Sequence, residues 1–486
     1  MTNSAVSRIP RAYQVLSLTA LATFLVSLDV SIVVVAKRTI EADLGGGSLI
    51  TWVFSAYAIA YAAGLLTAGR FADVYGRKRS FLRGLFIFSI GSLLCGISPT
   101  TWILILARIL QALGGAQLTP ASIALVLPEF PVEKRTQAIA IWGATGGLAA
   151  ALGPSVGGIL VDSLGWRSLF FINIPFTVVT IVLGRRILHE SKDPNAERKV
   201  DYPSVVFGFT GIALVVLGIS QSEVWHWTSS KTLGSIALGM ILVALFVQRC
   251  RVVLNPLLDL KLFRLPFVLA ANLSGLLFSI GFIGMWLLNT FWLQAVWGYS
   301  VAHSGLATMP GPGMAALIAP FAGRYANRFG HARVLLVGAI MLSVGTFGLT
   351  TFIPIEPSYL THYLPWMLLT GFGVGLSIST LSSSATAYLK PTQLAMGSAL
   401  NTTARQIGTA LGAALSLAIA APTLSRIETA RRSGKSILDL DMTEIHIAWK
   451  MNAIVYLVAG ITMITIFRKP TEAQMDDARA AVKFED

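Results

Sequence analysis

Apolar residues lie along this chain in long unbroken blocks, without the alternating or 3.6-residue striping of a water-soluble fold. Fourteen blocks are long enough to cross a ~30 Å hydrocarbon layer. They run at about 14–36, 50–69, 80–98, 101–126, 136–161, 168–186, 203–221, 233–250, 268–293, 304–322, 332–353, 363–388, 394–421 and 446–467. In lipid every backbone N–H and C=O needs an internal partner, so the blocks are predicted to be helices and the fold class is all-α, polytopic. Arg8, Arg11 and the first block imitate a secretory leader. The block is too long for one, carries Asp29 and lacks a small-residue cleavage site, which makes it a retained span.

Composition agrees with that pattern. The 486 residues are 54% hydrophobic and only 12% charged, with a mean hydropathy of +0.70, against about 25% charged in soluble domains. The formal charge of +14 would suggest nucleic acid on a soluble protein, but no basic patch is interleaved with aromatics, so no nucleic-acid partner is expected. With the N-terminus inside, 26 of the 37 Lys and Arg fall in inner loops, 8 in outer loops and 3 within spans (Arg108, Arg405, Lys450). That bias supports cytoplasmic N- and C-termini. Cys95 and Cys250 fall near opposite faces, so no disulfide is expected, and no His/Cys cluster has metal-ligand spacing.

The chain also repeats itself. Gly69–Arg79 reads GRFADVYGRKR and Gly323–Arg333 reads GRYANRFGHAR, 254 residues later. The offset lays spans 1–6 on spans 9–14 and leaves spans 7 and 8 over. The predicted domains are 1–190, a six-helix bundle; 191–265, an inserted helix pair with flanking loops; 266–470, a second six-helix bundle; and 471–486, a cytoplasmic tail. Two homologous halves around a central cavity is a transporter plan.

Four motifs carry candidate chemistry. In Gly69–Arg79, Gly69 permits close helix contact, Gly76 a left-handed or crowded backbone, and Asp73 can face a helix N-terminus, while Arg77, Lys78 and Arg79 anchor the turn. A basic turn that only sets topology would read alike. In span 5, Gly153-Pro154-Ser155-Val156-Gly157-Gly158 lets a helix bend and pack tightly; simple small-residue packing is the plainer account. Span 4 holds Arg108 and Gln111, and an arginine inside a span is by default functional. Span 1 holds Asp29, the one acid well inside any span. Two stretches add detail: Trp166–Pro175 (WRSLFFINIP) and Asn401–Gly408 (NTTARQIG).

Together these motifs resemble the major facilitator superfamily, and within it the fourteen-span drug:proton antiporter branch, over essentially the whole chain. The resemblance implies two six-helix pseudo-repeats plus two inserted helices, with Gly69, Asp73, Gly76 and Arg77 as a latch between the halves. It implies that Gly153, Pro154, Gly157 and Gly158 are an antiporter motif favouring export, and that Arg108 handles protons. The span 1 signature departs from the branch at Val34, Lys37 and Arg38, and Ala149 stands where the family often has Gly.

The expected mechanism is alternating access. A carboxylate in a low-dielectric cavity gains proton affinity and a neighbouring arginine lowers it again. Asp29 is therefore the candidate proton carrier and Arg108 its tuner; a buried acid locked in a permanent ion pair is the alternative. Gln111, Asn401, Arg405 and Trp286 are candidate cavity residues, with Phe278, Phe282 and Phe291 as further aromatics. One acid against two arginines argues against dications. The expected partners are a small lipophilic substrate, protons and the bilayer, acting on a monomer with no cofactor and no metal, in a bacterial inner membrane. A dedicated exporter of an endogenous lipid, siderophore or metabolite, and an uptake facilitator, are the alternatives. A membrane enzyme would need a clustered carboxylate, histidine or nucleophile set, which the spans lack. Ser433-Gly434-Lys435-Ser436 imitates a phosphate loop, but Thr429 stands where its first Gly belongs.

Overall fold

The computed structural model describes residues 10–191, 201–254, 256–433, 435–437, 440–469 and 471–472. Its long helices are α1 (Arg11–Val35), α2 (Trp52–Tyr75), α3 (Arg77–Gly96), α4 (Thr101–Val126), α5 (Val132–Leu164), α6 (Asn173–Ile187), α7 (Tyr202–Ser220), α8 (Ser230–Val252), α9 (Pro266–Phe291), α10 (Pro310–Phe329), α11 (His331–Phe352), α12 (Leu364–Thr386), α13 (Leu394–Arg432) and α14 (Thr443–Ile466). No strand occurs among the described residues.

Each predicted block is helical, but twelve helices, not fourteen, are long and apolar enough to cross a membrane among the described residues. Not counted among the twelve are α5, several of whose side chains lie outside those described, and α10, which carries Pro310, Gly311, Pro312 and Gly313 at one end and Arg324 and Arg328 at the other. They pack on each other, so a protein surface replaces lipid along one side of each. Large apolar side chains such as Phe86, Leu106, Val179, Ile241 and Ile454 are exposed, as expected where the solvent is hydrocarbon. The chain is a multi-pass membrane protein.

Two boundaries differ from the sequence expectation for a physical reason. The Gly69–Arg79 stretch is not a loop: α2 continues to Tyr75, α3 starts at Arg77, and only Gly76 turns the chain. Likewise α13 runs on to Arg432, so Arg426, Arg431 and Arg432 ride on a helix that outlasts its apolar block.

The pseudo-repeat shows in the backbone. Gly76 (φ 107°, ψ 138°) and Gly330 (φ 89°, ψ 145°) make the same turn 254 residues apart. Contacts between the two sets of helices run through α5 on α10 and α12, and through α13 on α2 and α4. Helices α7 and α8 pack together, and α7 lies against α2 and α13.

Candidate functional site

Asp29 sits on α1 with no solvent exposure, among Arg108 and Gln111 of α4, Ser92 of α3 and Asn173 of α6, all 0–1% exposed. Arg108 Nη1 donates to Asp29 Oδ2 at 2.5 Å and to Gln111 Oε1 at 2.7 Å. Gln111 Nε2 and Asn173 Nδ2 donate to Asp29 Oδ1 at 2.8 and 3.0 Å. The same two amides reach Ser92 Oγ at 3.2 and 3.0 Å, and Ser92 passes its proton to the Phe170 carbonyl at 2.8 Å. Three donors thus converge on one carboxylate, two on Oδ1 and one on Oδ2. Buried charges are tolerated when paired and hydrogen-bonded in this way.

One ring touches both the network and the central cavity. The Arg108 guanidinium lies over Tyr57, 4.0 Å from its centroid, and Tyr57 stacks on Tyr61 with centroids 6.1 Å apart. Both tyrosines line a cavity of about 340 Å³ between the two halves, inside the range of ligand pockets. Helices α1, α2, α4 and α5 line one side, with Ser27, Tyr57, Thr119, Trp142 and Gly146 among their contributions. On the other side α9, α12 and α13 contribute Phe282, Ser382, Asn401, Arg405 and Gln406, among others.

Of the four cavity residues expected from sequence, Asn401 and Arg405 line the wall and Gln111 and Trp286 do not. Gln111 is turned the other way, onto Asp29, because α4 presents it on the same face as Arg108 three residues before. Trp286 is half-buried elsewhere on α9. Of the further aromatics only Phe282 reaches the cavity, while Phe278 packs against Tyr456.

The duplicated glycines mark the contact between halves. A Cβ on Gly69 would stand 2.8 Å from Ala399 Cβ and 3.1 Å from the Ala395 carbonyl on α13. A Cβ on Gly323 would stand 2.9 Å from Gln137 Cα and 3.1 Å from the Thr136 carbonyl on α5. Only glycine allows either approach. Asp73 and Arg77 pair within the first copy, buried, at 3.1 Å. The carboxylate at the head of α3 belongs to Glu190, which accepts from Lys78 N at 3.0 Å and Arg79 N at 3.2 Å. Gly76 makes the turn with a positive φ, and a Cβ there would lie 2.5 Å from Glu190 Oε1 and push that carboxylate aside.

The span 5 motif seats α5 against α1 just past Asp29. A Cβ on Gly153 would meet Ser31 Cβ at 2.4 Å, and one on Gly157 the Ile32 carbonyl at 3.1 Å. Gly158 faces open space, and the Pro154 side chain lies outside the described residues. Asn173 and Ser92 went unrecognised in the sequence; Asn173 sits inside the quoted Trp166–Pro175 string, which was a signal of place but not of role.

A family model for the Major Facilitator Superfamily matches residues 19–413, with a second match over 274–483. The chain belongs to the major facilitator superfamily. Its relatives include the tetracenomycin C resistance and export protein of Streptomyces glaucescens, 31% identical over 83% of this chain and 75% of that protein. Another is the multidrug resistance protein B homolog of Mycobacterium tuberculosis, 32% identical over 81% of this chain and 74% of that one. Among solved structures, the human organic anion transporter MFSD10 (TETRAN) superposes with a TM-score of 0.64 at 14% identity, covering 94% of this chain and all of that one; this likeness speaks for the fold alone. Major facilitator proteins are transporters and not enzymes.

Proposed function

We propose that this chain exports small, largely apolar compounds in exchange for protons, by alternating access. The observation that carries the proposal is the shared ring: Tyr57 lines the cavity on one side and covers the Asp29–Arg108 pair on the other. A substrate pressing on that ring moves the cover of the buried Asp29–Arg108 pair. In the cycle Asp29 takes a proton when Arg108 withdraws, and returns it to the cytoplasm when the pair closes again. The names of the relatives support export over uptake. They also keep a dedicated exporter of one compound as the second reading, since one of them names a single product.

We assign the chain to the fourteen-span drug:proton antiporter branch, with α5 and α10 as the two further spans. Each is long enough to cross and lines the seam between halves. The domains are then 1–190, 191–265, 266–470 and 471–486, with the tail and both termini cytoplasmic in a cell inner membrane, following the lysine and arginine bias. Gly69, Asp73, Gly76 and Arg77 act as the latch of the outward-facing form, and Gly153, Pro154, Gly157 and Gly158 set the α1–α5 packing beside the proton site. The protein works as a monomer with lipophilic substrate and protons as partners.

The test is transport by everted vesicles, wild type against Asp29→Asn, with a panel of lipophilic dyes and antibiotics. Dissipation of an imposed pH gradient by several panel members with wild type only is the expected result. No proton movement with any of them sinks the multidrug reading, and a mutant equal to wild type removes Asp29 as carrier.

A further inference from the structure

The cavity wall has an unequal charge. Among the described residues that line it there are hydroxyls, amides and aromatic rings, one guanidinium and no carboxylate. The guanidinium is Arg405 on α13, which makes no ion pair among the described residues, and whose Nε is buried with no hydrogen-bond partner. Asp29 is not its partner: the side chains that donate to that carboxylate are Arg108, Gln111 and Asn173. The stem of Arg405 has a prepared seat: Gly275 on α9 leaves it room, and a Cβ there would lie 3.3 Å from Arg405 Cγ. An uncompensated cation inside a membrane protein is expensive and marks a functional site. Its planar fork matches carboxylates and sulfonates with paired hydrogen bonds.

We propose that the cavity selects organic anions: compounds with an aromatic body, seated on Tyr57, Tyr61 and Phe282, and one acidic group held by Arg405. This rests on the cavity being the transport site, and it narrows the substrate class from lipophilic compounds in general to lipophilic acids. A cationic dye meets a like charge with no acid to offset it, whereas an anion removes the cost of the lone guanidinium. Charge-assisted hydrogen bonds to one such group correspond to about a ten- to hundred-fold preference in affinity.

The experiment is equilibrium binding to the full-length protein in nanodiscs, read by quenching of tryptophan fluorescence, since Trp142 lines the cavity. Three aromatic scaffolds (naphthyl, anthracenyl, biphenyl) are each offered as sulfonate, neutral sulfonamide and quaternary ammonium. Wild type should bind the sulfonates at least ten-fold more tightly than the sulfonamides, and the ammonium forms most weakly. Arg405→Gln should flatten the order, and Arg405→Lys should restore part of it, which also controls for folding. Equal binding of the three forms, a preference for the cations, no binding of any form, or an anion preference that survives Arg405→Gln each overturns the proposal. Failure of the export reading shows separately, as a protein that binds the sulfonates but moves none of them against a pH gradient.

Discussion

Replacing the members of the Asp29–Arg108 pair singly and together separates two roles that one static arrangement supports. With charge centres about 4 Å apart and an effective dielectric constant near 20, their attraction is about 4 kcal/mol. Removing one partner of a buried pair costs about 3–5 kcal/mol, because the other charge stays behind unpaired. Asp29→Asn leaves Arg108 over Tyr57 with Gln111 and the Val53 carbonyl as its remaining acceptors. Arg108→Gln leaves Asp29 with the amides of Gln111 and Asn173. Each single variant should therefore lose about 3–5 kcal/mol of stability. The double variant is an uncharged amide cluster and should recover much of it, giving a coupling energy of roughly 3 kcal/mol. Denaturant unfolding of purified protein in lipid nanodiscs measures the cycle. Losses that add, with a coupling below about 0.5 kcal/mol, refute the argument that the pair is buried as a unit. Transport supplies the second axis: proton-coupled efflux should be absent from both variants lacking Asp29, stable or not. A double variant that regains antiport would make Asp29 a structural counter-ion only.

Other consequences are as direct. Gly69→Val and Gly323→Val each place a side chain where a neighbouring atom stands 2.8–2.9 Å from the missing Cβ; both should cut transport more than about ten-fold, an overpacking cost of 1–3 kcal/mol, and speed maleimide labelling of Ser398→Cys from the Gly69 end, and unchanged labelling would show that the halves do not close there. Gly76→Ala combines a positive φ with a clash on Glu190 and should destabilise by about 1–3 kcal/mol, against about 1 kcal/mol for Glu190→Gln through the lost cap on α3; thermal unfolding ranks the two. Bidentate hydrogen bonds from Arg249 to Asp201 (2.7 and 2.8 Å) hold that carboxyl below its usual range. Its contribution, below about 1 kcal/mol, is present above about pH 4 and disappears as pH falls through the lowered value. Hydrogen exchange in residues 201–252 should show that acid loosening in wild type and lose it in Asp201→Asn.

What could be read in advance follows from how loudly a residue speaks in an apolar run. Asp29 and Arg108 are conspicuous because charge within a span is costly, and a lone acid beside a span arginine already suggested that they meet. Asn173 and Ser92 were not, since small neutral polar residues are common in spans and only their facing gives them a role. Facing also misplaced Gln111 and Trp286, as one sequence does not say which side of a helix looks at the cavity. The duplicated GRFADVYGRKR string located the seam between halves, yet suggested a loop where helix α2 simply continues. The count of spans was the least legible feature, because α10 holds prolines, glycines and two arginines in place of a full apolar length.

The members of the Asp29 network all come from the first 173 residues, on α1, α3, α4 and α6. A nascent chain can therefore neutralise its deepest charges as soon as the first bundle has left the ribosome, before any of the second exists. Arg405 has no such relief within its own bundle and enters the membrane with its charge uncompensated, a cost of about 2.5–3.5 kcal/mol on insertion scales. The charges of the first bundle can thus be paired before the second is made.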